Sequence, residues 1–353
     1  GKLTTTVSGA SSGLALALQP DGRIVVAGNA GTAVVAIRLM PDGSLDTSFS
    51  TDGAVTFRIG NERDNVSDVA LQPDGRIVVV ASAFNSGYAD DYFGVARLTT
   101  GGSLDSTFDG DGKKQVVMNG YDRAKAVAVQ PDSKIVVAGD SYEWSGALRL
   151  NEDGGLDTSF ADGGFLSTGL KPVGDHREGF KYVDDIVILP DNDILLAGQY
   201  NRYKQYYYSW YGPGLSRYNQ DGTADTTFGN NGLIVGSSNG YSNSQSLAVG
   251  SSGVMILGSY VYQNNQYDLL VSAYGGDDIA VNSAHLIYAT TVEYTYTITG
   301  SVPQFNVGLY RSSDEAFDAD EDELVKLDVL AGTGAGQTTT TMSLGAALEV
   351  DLE

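Results

Sequence analysis

Gln19-Pro20-Asp21-Gly22-Arg23-Ile24-Val25-Val26-Ala27-Gly28 decides the fold, because its opening turn recurs along the chain. The turn returns as Gln72-Pro73-Asp74-Gly75-Arg76 and as Gln130-Pro131-Asp132-Ser133-Lys134. It weakens to Leu189-Pro190-Asp191-Asn192-Asp193, and a fifth copy survives as Val249-Gly250-Ser251-Ser252-Gly253. By subtraction the copies stand 53, 58, 59 and 60 residues apart, a near-constant period that marks a repeat architecture. Pro fixes φ at one corner of a tight turn and Gly accepts φ > 0 at the next, so the motif joins two strands.

Outward from this turn, the first copy offers four short β-branched runs at 14–19, 23–28, 33–40 and 54–59. After the third run comes a second signature, Leu45-Asp46-Thr47-Ser48-Phe49. It is repeated at Leu104-Asp105-Ser106-Thr107-Phe108 and Leu156-Asp157-Thr158-Ser159-Phe160, and varied at Ala224-Asp225-Thr226-Thr227-Phe228. Leu and Phe are expected to plug the blade's end, while Asp and Ser/Thr hydrogen-bond the turn. The fifth copy stops at Ala273-Tyr274, one strand short. Lys2-Leu3-Thr4-Thr5-Thr6-Val7 precedes the first copy as Lys113-Lys114-Gln115-Val116-Val117-Met118 precedes the third. Pairing this segment with the last blade supplies the missing strand and removes the open edges. The expectation is an all-β chain: a five-bladed β-propeller over 1–276, closed by the N-terminal strand, then a small immunoglobulin-like β-sandwich domain over 277–353.

The run at 19–28, with Arg38-Leu39 and Leu45-Asp46-Thr47-Ser48-Phe49, resembles the delta-60 repeat family, over residues 1 to about 276. The resemblance implies a secreted or surface-attached bacterial protein and supplies no active site.

Composition narrows the partners. The 353-residue chain is 42% hydrophobic, enough for a sizeable core, and carries a formal charge of -23. That charge argues against nucleic acid, which requires a concentrated positive surface, and against anionic membranes. There is no cysteine, so disulfides, thiolate zinc sites and thiol catalysis are excluded. No apolar run approaches the roughly 18 residues of a spanning helix, so no direct membrane insertion is expected. The N-terminus lacks a charged-then-apolar leader and reads as that of a mature or excised fragment.

Topology puts the first-to-second and third-to-fourth strand connections on one face, the uniform one. The other face varies in every copy and gathers aromatics: Phe84, Tyr88 and Tyr92; Tyr142 and Trp144; Tyr200, Tyr203, Tyr206, Tyr207, Tyr208, Trp210 and Tyr211; Tyr260, Tyr262 and Tyr267. Inter-blade loops add Tyr121, His176, Tyr182 and Tyr241. Flat rings flanked by amides and carboxylates suit a carbohydrate. The same residues suit another surface protein, and any single ring can equally pack between blades. The ligand-binding candidates are Tyr88, Tyr92, Tyr142, Trp144, Tyr200, Tyr203, Tyr206, Tyr208, Trp210, Tyr211, Tyr260 and Tyr262. The run 200–214 reads as a long binding loop.

No catalytic residue is assigned. The only histidines, His176 and His285, fall in different expected domains, against a Ser-His-Asp triad or a histidine-rich metal site. Glycoside hydrolysis needs paired carboxylates, for which the rim offers Asp64, Asp68, Asp90, Asp91, Asp122, Asp140, Glu143, Asp184 and Asp185. Spacing alone does not pair them.

From about Asp277 the repeat gives way to alternating runs at 284–299, 304–311, 324–330 and 338–344, an antiparallel pattern. This segment holds 14 acids against Arg311 and Lys326, a net of -12, more than half of the total. Asn306 to Asp314, followed by Phe317 to Asp322, resembles the bacterial cell-adhesion-related domain CARDB, which implies a spacer or adhesion module. About 75 residues is short for a sandwich of roughly 100, so the domain reads as truncated. Asp318, Asp320 and Asp322 alternate as calcium-loop ligands do, yet Glu323 replaces the turn Gly and Val329 the bidentate Glu of an EF-hand. A looser calcium site using Asp314, Asp318, Asp320 and Asp322 stands against a solvated acidic loop; no other cofactor is expected.

The leading expectation is a non-enzymatic, secreted or cell-surface binding module for a carbohydrate or surface polymer. The alternatives are a glycoside hydrolase using rim carboxylates and a structural spacer of a larger surface protein.

Overall fold

The computed structural model describes residues 11–85, 91–117, 121–141, 145–169, 171–173, 176–204, 207–235, 241–249, 255–263, 266–274, 279–288, 291–298, 304–311, 323–331 and 336–343. Of these, 11, 171–177, 203–211, 241–245, 256 and those from 259 onward are described by backbone alone. Every regular element among them is a strand. The chain divides into two compact units, 1–196 with 217–225, and 197–216 with 226–353.

In the first unit each of the first three repeats forms one four-stranded antiparallel meander. The strands are β1 (Ser11–Leu18), β2 (Ile24–Ala30), β3 (Ala33–Leu39) and β4 (Ala54–Phe57); β5 (Arg63–Leu71), β6 (Ile77–Phe84), β7 (Asp91–Leu98) and β8 (Lys113–Val116); β9 (Arg123–Val129), β10 (Ile135–Asp140), β11 (Ser145–Leu150) and β12 (Phe165–Ser167). The Pro-Asp-Gly turns close as the sequence expects. Gln19 N–H donates to the Arg23 carbonyl at 2.7 Å, and Gly22 and Gly75 stand at φ 82° and 85°. Ser133 and Asn192 hold the same left-handed corner at φ 67° and 73°.

Alternation decides how the sheets stack. On β6, Ile77, Val79, Ala81 and Ala83 join a core shared with the first sheet, while Val78 and Val80 join one shared with the third. A strand buried on both faces needs an unbroken apolar run, and β6 and β10 have one. Val69 and Val127 on the inner strands are buried at 5% and 6% exposure against the preceding sheet. On β1 the matching position, Leu16, is 68% exposed. This unit also holds β13 (Lys171–Val173), paired antiparallel with β14 (His176–Ile188). The strands β15 (Ile194–Lys204), β16 (Tyr207–Tyr218) and β17 (Leu233–Val235) follow.

The second unit contains β18 (Tyr241–Val249), β19 (Met255–Gln263), β20 (Gln266–Tyr274), β21 (Ile279–Tyr288), β22 (Thr291–Ile298), β23 (Gln304–Arg311), β24 (Glu323–Ala331) and β25 (Gly336–Ser343). Val249 pairs with Met255 as Leu18 pairs with Ile24, so Val249 takes the place of Leu18 rather than that of Gln19, with which the sequence matches it. One antiparallel sheet runs β18-β19-β20-β21-β22-β25, and β23 pairs separately with β24. β20 pairs with the strand that follows it through Tyr274 and Ala280, so this sheet runs on across residue 276. The proposed closing segment, Lys2 to Val7, lies outside the described residues.

Candidate functional site

The two edges of the repeats do different work. On the uniform edge, Arg38 Nε donates to Asp46 Oδ2 at 2.8 Å, its guanidinium lies 4.8 Å over Phe49, and Nη1 reaches the Thr100 carbonyl of the next repeat at 2.6 Å. Arg97 repeats this with Asp105 at 2.9 Å, Phe108 and the Glu152 carbonyl; Arg149 repeats it with Asp157 at 2.8 Å, Phe160 and the Gln220 carbonyl. Asp46 accepts from the Ser48 hydroxyl and N–H, as the sequence predicts. The Ser48 hydroxyl and Arg38 hold that carboxyl down at about 2. The Phe, however, does not merely plug its own blade. A Cβ at Gly102 would stand 2.8 Å from Phe49, and one at Gly222 would stand 2.7 Å from Phe160, because each ring seats on the turn of the following repeat. These residues join neighbouring repeats.

In the fourth copy Asp193 replaces the basic residue that follows the earlier turns. Arg217 there faces Asp193 at 3.0 Å and Asp225 at 3.2 Å, and also meets Asp191.

The opposite edge carries a cleft of about 450 Å³ between the second and third repeats. Its walls are the start of β5 (Arg63, Asn65, Ser67), the end of β6 (Ser82, Phe84), Asp91 at the start of β7, and Tyr121 with Arg123, Ala124 and Lys125 at the start of β9. Inner strands share a local irregularity that builds this wall. The pairing slips between Gly13 and Ala15, between Val66 and Asp68, opposite Ala138 and Gly139, and between Ser244 and Ser246. The bulged residues are Leu14, Ser67, Lys125 and Gln245, and bulges commonly re-aim side chains at rims. Asp184 holds the same place in the fourth copy, six residues before its Pro, by count along the sequence. This position differs in all five copies. The Ser67 hydroxyl donates to the Ala124 carbonyl and ties the two repeats at the cleft. Arg63 stacks over Phe84 at 4.1 Å, Tyr121 is 51% exposed at φ 55°, and Arg123 is exposed.

Acids sit near this wall under stress. Burial pushes the carboxyls of Asp68 and Asp140 up to about 6 and that of Asp184 up to about 7. Lys125 opposes the shift at Asp140 and Asp184, while the charges of Asp140 and Asp185 add to it at Asp184. Asp140 Oδ1 and Asp184 Oδ2 are buried without a hydrogen-bond partner. A carboxyl raised above its unfolded value of about 3.9 holds its proton in the folded protein where the unfolded chain has lost it. Stability therefore rises as pH falls from about 7 toward 5, and is lost again below about 4, where Asp46 and its counterparts protonate. Melting temperature should peak near pH 5, with Asp184→Asn flattening the slope between pH 5 and 7. A melting temperature that climbs steadily to pH 8 would contradict this.

Among the other acids, Asp64 is consumed by structure: it accepts from Ile59 N–H at 2.9 Å and Gly60 N–H at 2.7 Å, pinning the loop before β5. Asp122 is buried. Asp90 and Glu143 lie outside the described residues.

Tyr88, Tyr142, Trp144 and Tyr206 lie outside the described residues, as do Asp314, Asp318, Asp320 and Asp322. Tyr92 lies on β7 and packs against the core shared by the first two sheets. Tyr200, on β15, is buried at 5% exposure. Tyr203 continues β15, and Tyr208, Trp210 and Tyr211 lie on β16, so the expected loop over 200–214 is two strands joined across 205–206. Aromatic residues favour the pleated conformation and extend the pairing. Tyr260 and Tyr262 are on β19. The sequence reading passed over Arg63, Arg123 and Lys125, whose only signal is that they occur where the repeat does not repeat.

Residues 19–49, 72–108, 130–160 and 189–228 match the family model described as "Domain of unknown function (DUF5122) beta-propeller". No curated protein matches the chain. Among solved structures it is similar to an α-L-arabinanase from Penicillium chrysogenum, complexed with arabinobiose, at 8% identity and TM-score 0.47, covering 81% of this chain and 88% of that one. A protein from Lactobacillus plantarum is similar at 12% identity and TM-score 0.45, covering 93% and 88%. Virginiamycin B lyase from Staphylococcus aureus is similar at 9% identity and TM-score 0.38, covering 82% and 94%. At such identities no residue role passes to this chain.

Proposed function

We propose that this chain, whose residues 19–228 carry β-propeller repeats of the DUF5122 type, is an extracellular binding module that holds a carbohydrate or surface polymer on the variable edge of its repeats. The observation that supports this reading most is the cleft between the second and third repeats, where Phe84 and Tyr121 stand beside Asn65, Ser82 and Arg123. Rings offer a sugar's C–H face a flat surface, and the polar groups meet its hydroxyls. The residues repeated along the opposite edge join neighbouring repeats, which leaves recognition to the edge that differs from copy to copy.

A second reading, glycoside cleavage, draws on Asp140 and Asp184, whose carboxyls lie close enough for one charge to raise the other. One experiment weighs both. The protein should be retained by immobilised polysaccharide, with Tyr121→Ala weakening retention about tenfold, the worth of one well-placed ring. Release of reducing ends that vanishes in Asp184→Asn would favour the enzyme. Retention unchanged by Tyr121→Ala would remove the cleft from the proposal.

A further inference from the structure

We propose that the cleft between the second and third repeats takes an acidic polysaccharide, seating a carboxylate or sulfate ester between Arg63, Arg123 and Lys125. This rests on the carbohydrate-binding reading above and names the chemistry of its ligand.

Charge carries the argument. The whole chain has 44 acids against 21 Lys and Arg, about two to one. The cleft reverses that ratio: Arg63, Arg123 and Lys125 line it, with Asp91 as the acid. They come from two different repeats, two from β5 and β9 and one from the bulge within β9. Such convergence is not what a uniformly solvated acidic surface produces. Arg63 lies over the Phe84 ring with its guanidinium carbon 4.1 Å from the centroid, a contact that positions the cation while its N–H groups remain donors for an oxyanion. Among the described residues, none of the three cations has a side-chain ion pair within bonding distance, although Asp140 acts on Arg123 and Lys125, and Asp184 on Lys125, at longer range. Their charge is therefore not cancelled within the cleft wall.

The density of the ligand's charge also follows. A polymer with a phosphate on every residue would bring many negative charges against a chain of net -23. A polysaccharide with one anionic group per disaccharide presents a single oxyanion to the cationic cleft and neutral rings to the rest. Tyr121, half exposed, then flanks a sugar adjoining the charged one.

The test uses the full chain and three polymers: hyaluronan for carboxylate, dextran sulfate for sulfate, and dextran as neutral control, measured by affinity electrophoresis and calorimetry. Binding to an acidic polymer without binding to dextran is expected, weakening severalfold as salt rises from about 0.05 to about 0.5 M. Arg63→Gln and Arg123→Gln should each cost about tenfold, as loss of a charge-assisted hydrogen bond does, with unchanged melting temperature. Lys113→Gln, the same charge change on the uniform side of β8, should leave affinity intact. The preferred acidic polymer assigns the oxyanion as carboxylate or sulfate. Equal binding to dextran, lost in Tyr121→Ala but not in Arg123→Gln, would overturn the acidic ligand while keeping the carbohydrate reading. Binding to none of the three would overturn both.

Discussion

Replacing Arg97 with alanine is expected to cost about 3–5 kcal/mol of stability, because it strips one partner from a buried ion pair and leaves the other charged. Arg97 is 1% exposed, bonds Asp105 at 2.9 Å and Thr107 at 2.8 Å, covers Phe108 and reaches the Glu152 carbonyl of the next repeat. The loss thus falls on a joint between repeats and on the repeat itself. Thermal or denaturant unfolding of the variant measures it. The double variant Arg97→Met with Asp105→Leu should lose less than Arg97→Ala alone, since no buried carboxylate is then left with only the partly exposed Arg76, 3.2 Å away, as its cation. A single-variant loss below about 1 kcal/mol would show the pair to be solvated and the joint to be held by Phe108 and the backbone.

Replacing Gly102 with valine should cost nearly as much, about 2–5 kcal/mol, from two separable sources. Gly102 holds φ 87°, a left-handed value that a β-branched residue resists, and its Cβ would stand 2.8 Å from the Phe49 ring. Gly110 separates these sources. It holds φ 89° with nothing within 4 Å of its Cβ. Gly110→Val should therefore pay the backbone strain alone, about 1–2 kcal/mol. The difference between the two variants is the worth of seating Phe49 on the next repeat. Phe49→Leu placed on Gly102→Val should recover part of it. Equal losses at the two glycines would mean that the ring shifts freely and carries no joint.

Much of the fold was legible because its signals are local. Pro-Asp-Gly sets a turn within five residues, and Leu45 to Phe49 caps the third strand with a hydrogen bond from Ser48 N–H back to the Asp46 carboxylate. The direction of the Phe and Arg side chains was not legible. Their partners are a glycine and a backbone carbonyl in the next repeat, the carbonyls 55 to 71 residues on, and neither carries a side-chain signature. The loop expected over 200–214 is strand for a related reason: tyrosines that could decorate a loop also favour strand, and β15 and β16 take them. The cleft was hidden in another way. Arg63, Arg123 and Lys125 belong to no motif, and only the slipped register of the inner strands puts them on one wall.

The joints described above also point one way. From the first repeat through the third, each Arg and Phe reaches forward to the turn of the repeat that follows, and what it grips there is backbone and glycine. Such a grip is indifferent to the identity of the successor. A duplicated copy inserted into the array arrives with its own hand and its own handle, so lineage can lengthen or shuffle the series without re-matching interfaces. Selection is then left free to rewrite the other edge copy by copy, and the five different residues at the bulge read as the record of that freedom.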